Sequence, residues 1–210
     1  VPSLQGFDMS FDVYTRIEGT VSDAVCDFLK INTGKTHIAL KGSVRGLPEI
    51  DNTVFDIALE RLESSAKEFN EFKFGEKLSG LKLPTMLYSL GQIKMKADFR
   101  GLLTAFKAKA NIKTDIGNLS LSGASKPAAK GKTAYACLLQ SERFDVGRLL
   151  GQNILGTTVV DVSLEAVPAD LRGLLAEVEA KFDDFEFCGN KYNSVSLDGN
   201  IEKGKFSAQC

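Results

Sequence analysis

His37 is the only histidine in the chain, and that sets the first limit on its chemistry. A site built on paired histidines is impossible, and a Ser-His-Asp triad would have to use this one residue. No G-x-S-x-G string accompanies it. His37 precedes Ile38 on the polar parity of an alternating segment, so it is expected to face solvent. The glycines of Gly147-Arg-Leu-Leu-Gly151 lack the Lys-Ser/Thr of a phosphate-binding loop. They read better as a helix end, with Gly151 as a left-handed cap. Cys26, Cys137, Cys188 and Cys210 form no C-x-x-C pair, so zinc spacing is absent. They are expected to be free and mostly buried, as small hydrophobes. Two acidic clusters occur, Glu60, Glu63, Glu68 and Glu71, and Asp183, Asp184 and Glu186. Neither has the D-x-D-x-D-G spacing of a calcium loop; both read as solvated strand ends and helix faces. No metal, cofactor or catalytic residue is expected, and the chain is not expected to be an enzyme.

Charge points the same way. The 26 basic and 27 acidic residues leave a net charge of −1, which gives no reason to expect a nucleic-acid partner. Lys94, Lys96, Lys107, Lys109 and Lys113 line up on one face of a sheet and read as its outer wall, where lysines discourage edge pairing. Fourteen phenylalanines and no tryptophan suit an apolar interior better than a polar cleft. No run approaches the ~20 apolar residues of a membrane-spanning helix.

The elements that would carry any site are strands. In Ile93-Lys-Met-Lys-Ala-Asp-Phe-Arg100 the apolar and charged residues alternate, the period-2 signature of a strand with one dry face. The pattern returns in Phe7, Met9, Phe11, Val13 and Ile17; in Ile38 and Leu40; in Phe55, Ile57 and Leu59; and in Phe106 to Ile112. It continues in Tyr135 to Leu139, Val160 to Leu164 and Val178 to Phe182. About twelve strands result, with turns at Asn32-Thr-Gly34, Gly117-Asn118 and Cys188-Gly-Asn190. Short helices are expected at Ser64 to Phe72, Phe144 to Leu150 and, more weakly, Ala169 to Leu175. None is long enough to roof a sheet.

An internal repeat overlies this pattern. Ile38-Ala-Leu-Lys-Gly42, Leu119-Ser-Leu-Ser-Gly123 and Val195-Ser-Leu-Asp-Gly199 share the form apolar-x-Leu-x-Gly. The unit is roughly 80 residues, four strands and then a helical turn. Approximate repeats span 7–74, 90–151 and 156–210, the third lacking its last strand. They form one array, read as a fragment of a larger protein, because a four-stranded unit with one bare apolar face cannot bury it alone. The face has two stable outcomes: the core of a sandwich, or the lining of an open groove. Phe7, Met9, Phe11, Ile38, Leu40, Phe55, Ile57, Ile93, Met95, Phe99, Phe106, Leu119, Leu121, Val195 and Leu197 are the lining candidates.

The strings IALKGSVRGLPEIDNTVFD (38–56), FDVGRLLG (144–151) and NKYNSVSLDGNIEKGKF (190–206) resemble the repeat region of TamB-like proteins of Bacteroidetes, within the AsmA-like group. The resemblance implies an all-β, curved antiparallel repeat sheet (a half-pipe) with an apolar inner face. It implies a periplasmic location, with the parent protein anchored in the inner membrane. Expected partners are phospholipid or other acyl chains and, through the parent, an outer-membrane barrel of the TamA type. The alternative is a structural or interaction β-sandwich module of a cell-surface protein.

Overall fold

Alternating sequences pair where neighbouring strands present the same dry face, and each strand here does so with its neighbour in sequence. The computed structural model describes residues 10–65, 67–68, 85–128, 131–170, 173–202 and 205–209. Its strands are β1 (Asp12–Gly19), β2 (Asp23–Thr33), β3 (Thr36–Arg45), β4 (Val54–Ser65), β5 (Gln92–Leu102) and β6 (Ala105–Thr114). They continue as β7 (Gly117–Pro127), β8 (Thr133–Asp145), β9 (Thr157–Asp170), β10 (Gly173–Phe187), β11 (Asn190–Glu202) and β12 (Lys205–Gln209). All twelve lie in one sheet in strict sequence order. Every pairing is antiparallel, and β1 and β12 are its unclosed edges.

Among the described residues the meander is interrupted by the 3₁₀ turns η1 (Ile50–Asn52) and η2 (Thr85–Leu90) and by α1 (Val146–Leu150). Asp145 caps α1, its side chain accepting from the Arg148 N–H at 2.8 Å. Gly151 ends it in the left-handed conformation, φ 65°, which only glycine adopts without steric cost. The helix expected over Phe144 to Leu150 is therefore present from Val146.

Several expectations are corrected. None of the described residues of Ala169 to Leu175 is helical: β9 runs to Asp170, β10 starts at Gly173, and Pro168 pairs with Leu174 across the hairpin. The ladder continues because the alternation of Leu164 and Ala166 carries on into it. Ser64 and Ser65 belong to β4, with only residues 67–68 helical beyond them among the described residues. The third four-strand group has a fourth strand, the short β12, paired from Asp198–Gln209 to Glu202–Lys205. Gly117 and Asn118 open β7 rather than forming the turn, which falls on Asp115 and Ile116.

The buried apolar core is small and sits at one rim. Ile116, Phe144 and Val160 form it, with Leu90 of η2, Val146 and Leu149 of α1, and Leu119, Val162 and Phe182 of the sheet packed around them. The side chains most completely removed from water are Thr36, Thr53, Thr158 and Ser64, not large hydrophobes.

Candidate functional site

Side chains of directly paired residues stand on the same face of a sheet, so the register can be followed from strand to strand. One rung runs Leu40, Leu59, Ala97, Ala110, Leu121, Leu139, Val162, Ala180 and Leu197, from β3 to β11. The repeated leucines Leu40, Leu121 and Leu197 thus stand on one rung. The next rung holds Gly42, Ile57, Phe99, Ala108, Gly123, Cys137, Leu164, Val178 and Gly199, so the three repeated glycines also coincide. On the other side of the leucine rung, Ile38, Leu62, Met95, Ile112 and Leu119 align. Phe55 pairs with Gly101, which pairs with Phe106. Val195 pairs with Phe182, and Ile93 with Ser64 and Thr114.

The rungs therefore bring together every lining candidate that lies within the described strands. Phe11 is an exposed residue just before β1; Phe7 and Met9 lie outside the described residues. Phe99 stacks on Phe106 with ring centroids 4.9 Å apart and meets Phe55 edge-on at 6.3 Å, a triplet worth about 0.5–1.5 kcal/mol per pair beyond its buried area.

Two members were hidden from simple alternation. Leu62 and Phe144 fall on the opposite parity to Leu59 and Leu139, yet share their face, because the register shifts between Leu59 and Leu62 and between Ser141 and Phe144. Each shift spans a Glu-Arg pair, Glu60-Arg61 and Glu142-Arg143. Two successive charged residues inside an alternating strand are the signal: a bulge sends both toward water and returns the next residue to the dry side.

The dry face is only half dry. Phe99, Met95, Ile57 and Leu40 are half-buried, Leu121 is 36% exposed and Ile17 is 60% exposed. The chain exposes 14697 Å², where a compact monomer of 22.8 kDa is expected to expose roughly 9,600 Å². No second sheet covers these rungs among the described residues.

The opposite face is polar. Lys41 lies 2.5 Å from Glu60, Arg61 2.6 Å from Glu63 and Arg100 3.1 Å from Asp56. The hydrogen bonds from Lys41 and Arg61 hold the Glu60 and Glu63 carboxyls below the usual glutamate range. Glu68 accepts from the Lys35 N–H and the Thr36 hydroxyl. The first acidic cluster is thus dispersed into separate pairs; Glu71 lies outside the described residues. Among the described residues no group of acidic, histidine or cysteine side chains is placed to hold a metal. His37 is half-buried rather than solvent-facing, its Nδ1 2.8 Å from Asn32 Oδ1 across the β2–β3 hairpin. The thiols of Cys26, Cys137 and Cys188 are free. The first two are half-buried and Cys188 is exposed in the β10–β11 turn, because the face that carries Cys26 and Cys137 is itself uncovered and the turn projects past it. Cys210 lies outside the described residues.

Among the described residues no helix is long and apolar enough to cross a membrane. Compared with protein-family models, curated proteins and solved structures, the chain matches none.

Proposed function

We propose that the chain is a segment of a periplasmic conduit or assembly factor between inner and outer membranes, holding acyl chains, or apolar segments of outer-membrane proteins, along its apolar face. The observation that carries this reading is the run of apolar rungs across nine or more strands with no protein layer on top of it among the described residues. A soluble monomer rarely exposes a contiguous apolar patch beyond a few hundred Å². An acyl chain laid along such rungs leaves water at ~0.8 kcal/mol per CH₂, and a protein face open at both edges lets it move along the array. In this reading the sheet curls around its apolar side into a half-pipe, as accumulated strand twist and bulges allow. The likeness to TamB-like repeats favours the same reading, with an inner-membrane anchor and a TamA-type barrel contacted through other parts of the parent.

Lipid retained after gentle purification tests it. Mass spectrometry should find phospholipid in the unaltered chain. It should find far less in Phe99→Arg or Leu121→Glu, where a charge on the rung must be desolvated under a passing tail. Lys126→Glu, on the polar face, should retain it. In a strain lacking the parent gene, the same lining variants placed in the full-length protein should fail to restore outer-membrane integrity at equal abundance. If they restore it as well as Lys126→Glu does, an interaction module of a cell-surface protein is the better reading.

A further inference from the structure

Near-neutral net charge conceals a segregation that becomes visible once the polar face is indexed by register. On β5 and β6 that face carries six cations, Lys94, Lys96, Arg100, Lys107, Lys109 and Lys113, against the single carboxylate Asp98. On β9 and β10 it carries Asp161, Glu165, Glu177, Glu179 and Asp183 against Lys181 alone. The strands between them, β7 and β8, present mainly small or uncharged side chains such as Ser120, Ser122, Ala136 and Leu138.

One rung states the arrangement in full. Arg100, Lys107, Ala124, Ala136, Glu165 and Glu177 are successive register partners on β5 to β10: two cations, two alanines, two carboxylates. On the neighbouring rungs Asp98 faces Lys109 and Lys181 faces Asp161, so the segregation is one of net charge in each half rather than of every rung. Like charges directly opposite one another across strands are destabilising, and here Arg100 faces Lys107, Lys94 faces Lys113, and Glu165 faces Glu177. Among the described residues, ion pairs relieve only Arg100, through Asp56, and Lys94, through Glu63 at 3.6 Å. Lys107, Lys109 and Lys113 on one side, and Glu165, Glu177 and Glu179 on the other, make no salt bridge among the described residues.

We infer that this polar face is a self-complementary docking surface for a second copy of the chain, the basic β5–β6 half of each lying over the acidic β9–β10 half of the other. The symmetry is specific. A two-fold axis in the interface plane, parallel to the strands and passing between β7 and β8, exchanges left and right while keeping each rung at its own height. It places Lys107 over Glu165, Arg100 over Glu177 and Lys94 over Asp183, twice, as an isologous interface requires, against two like-charged pairs, Asp98 over Glu179 and Lys96 over Lys181, so the attraction is carried by the net charge of the two halves. The alanine pair at the centre lets the sheets approach, at the ~10 Å spacing of packed sheets. Six strands and four rungs give a footprint of at most roughly 600 Å² per copy, reached where the two polar faces meet flat and smaller where they curve away from each other, at the small end of specific interfaces. Association is therefore expected to be weak and governed by charge. The apolar face stays free in the dimer.

Sedimentation of the purified chain in a nonionic detergent, which masks the apolar face, tests this. At 50 mM salt a concentration-dependent monomer–dimer equilibrium is expected, weakened tenfold or more at 500 mM. Lys107→Glu/Lys109→Glu and Glu165→Lys/Glu177→Lys should each be monomeric, with circular dichroism unchanged. Mixed in equal amounts, the two variants should form a heterodimer. A chain that stays monomeric at 50 mM salt and 200 µM overturns the inference. So does a dimer that survives both high salt and charge reversal, since it would be made through another surface. Failure of the mixture to associate overturns the two-fold geometry itself.

Discussion

The rim and the middle of the apolar face use the same kinds of residue on the same strands and end in different states. Phe144 is 5% exposed and Val160 7%, beneath α1 and η2, while Leu121, on a neighbouring rung of the same face, is 36% exposed. Strand sequence does not make the difference. What separates them is whether a short helical element folds back over the rung. Among the described residues there is enough helix to roof one rim and no more, and the rest of the face has no helix over it.

Substitutions can sharpen that contrast. Phe144→Ala should cost about 3–5 kcal/mol in chemical denaturation, because it opens a cavity under a roof that cannot collapse onto it. A value below 1 kcal/mol would show the rim to be no better packed than the middle. Phe99→Ala, half-exposed but stacked on Phe106, should cost about 1–2 kcal/mol, with bound detergent enlarging the loss.

The repeated glycines give a finer test of the same kind. A Cβ on Gly42 would meet the Asp56 carbonyl oxygen and come within 2.9 Å of Ile57 Cα, whereas on Gly123 the nearest atoms are 3.8 Å and 3.9 Å away. Gly42→Ala should therefore destabilise by about 1–3 kcal/mol. Gly123→Ala should be neutral or stabilise by up to ~1 kcal/mol through the unfolded state. Equal effects would mean that the two repeats pack alike despite these distances.

The smallest effect concerns pH. Folding lowers the Glu60 and Glu63 carboxyls below 4.5 by hydrogen bonding to Lys41 and Arg61. Their contribution is complete above that value and disappears as pH falls through the lowered folded values. Glu60→Gln should flatten the acid limb of a stability profile slightly, as expected of exposed pairs. An unchanged slope would remove this pair from the account.

Much of this architecture was legible from alternation alone. The strands of Ile93 to Arg100 and Phe106 to Lys113 were evident, as was the equivalence of Leu40, Leu121 and Leu197, because a period of two needs no tertiary information. Leu62 and Phe144 were not, since a bulge resets parity and a parity count assumes none. The helical reading of Ala169 to Leu175 failed because local turn preference there is overridden by a ladder already in progress. The charge segregation was legible only in part. The lysines could be placed on one face, but their placement opposite the β9–β10 carboxylates across a neutral strip needs the register of six strands.

The strict sequence order of the sheet has a consequence for how the chain reaches this state. Every strand pairs only with its predecessor and successor, so few contacts bridge distant parts of the sequence, and contact order is low for an all-β protein. Loop-closure entropy is met one hairpin at a time rather than in a single costly step. Such a sheet can grow as it emerges from one end, each new strand finding a finished edge to template it. Stability then becomes a sum of neighbour terms, and loss of one strand frays the array locally rather than collapsing it.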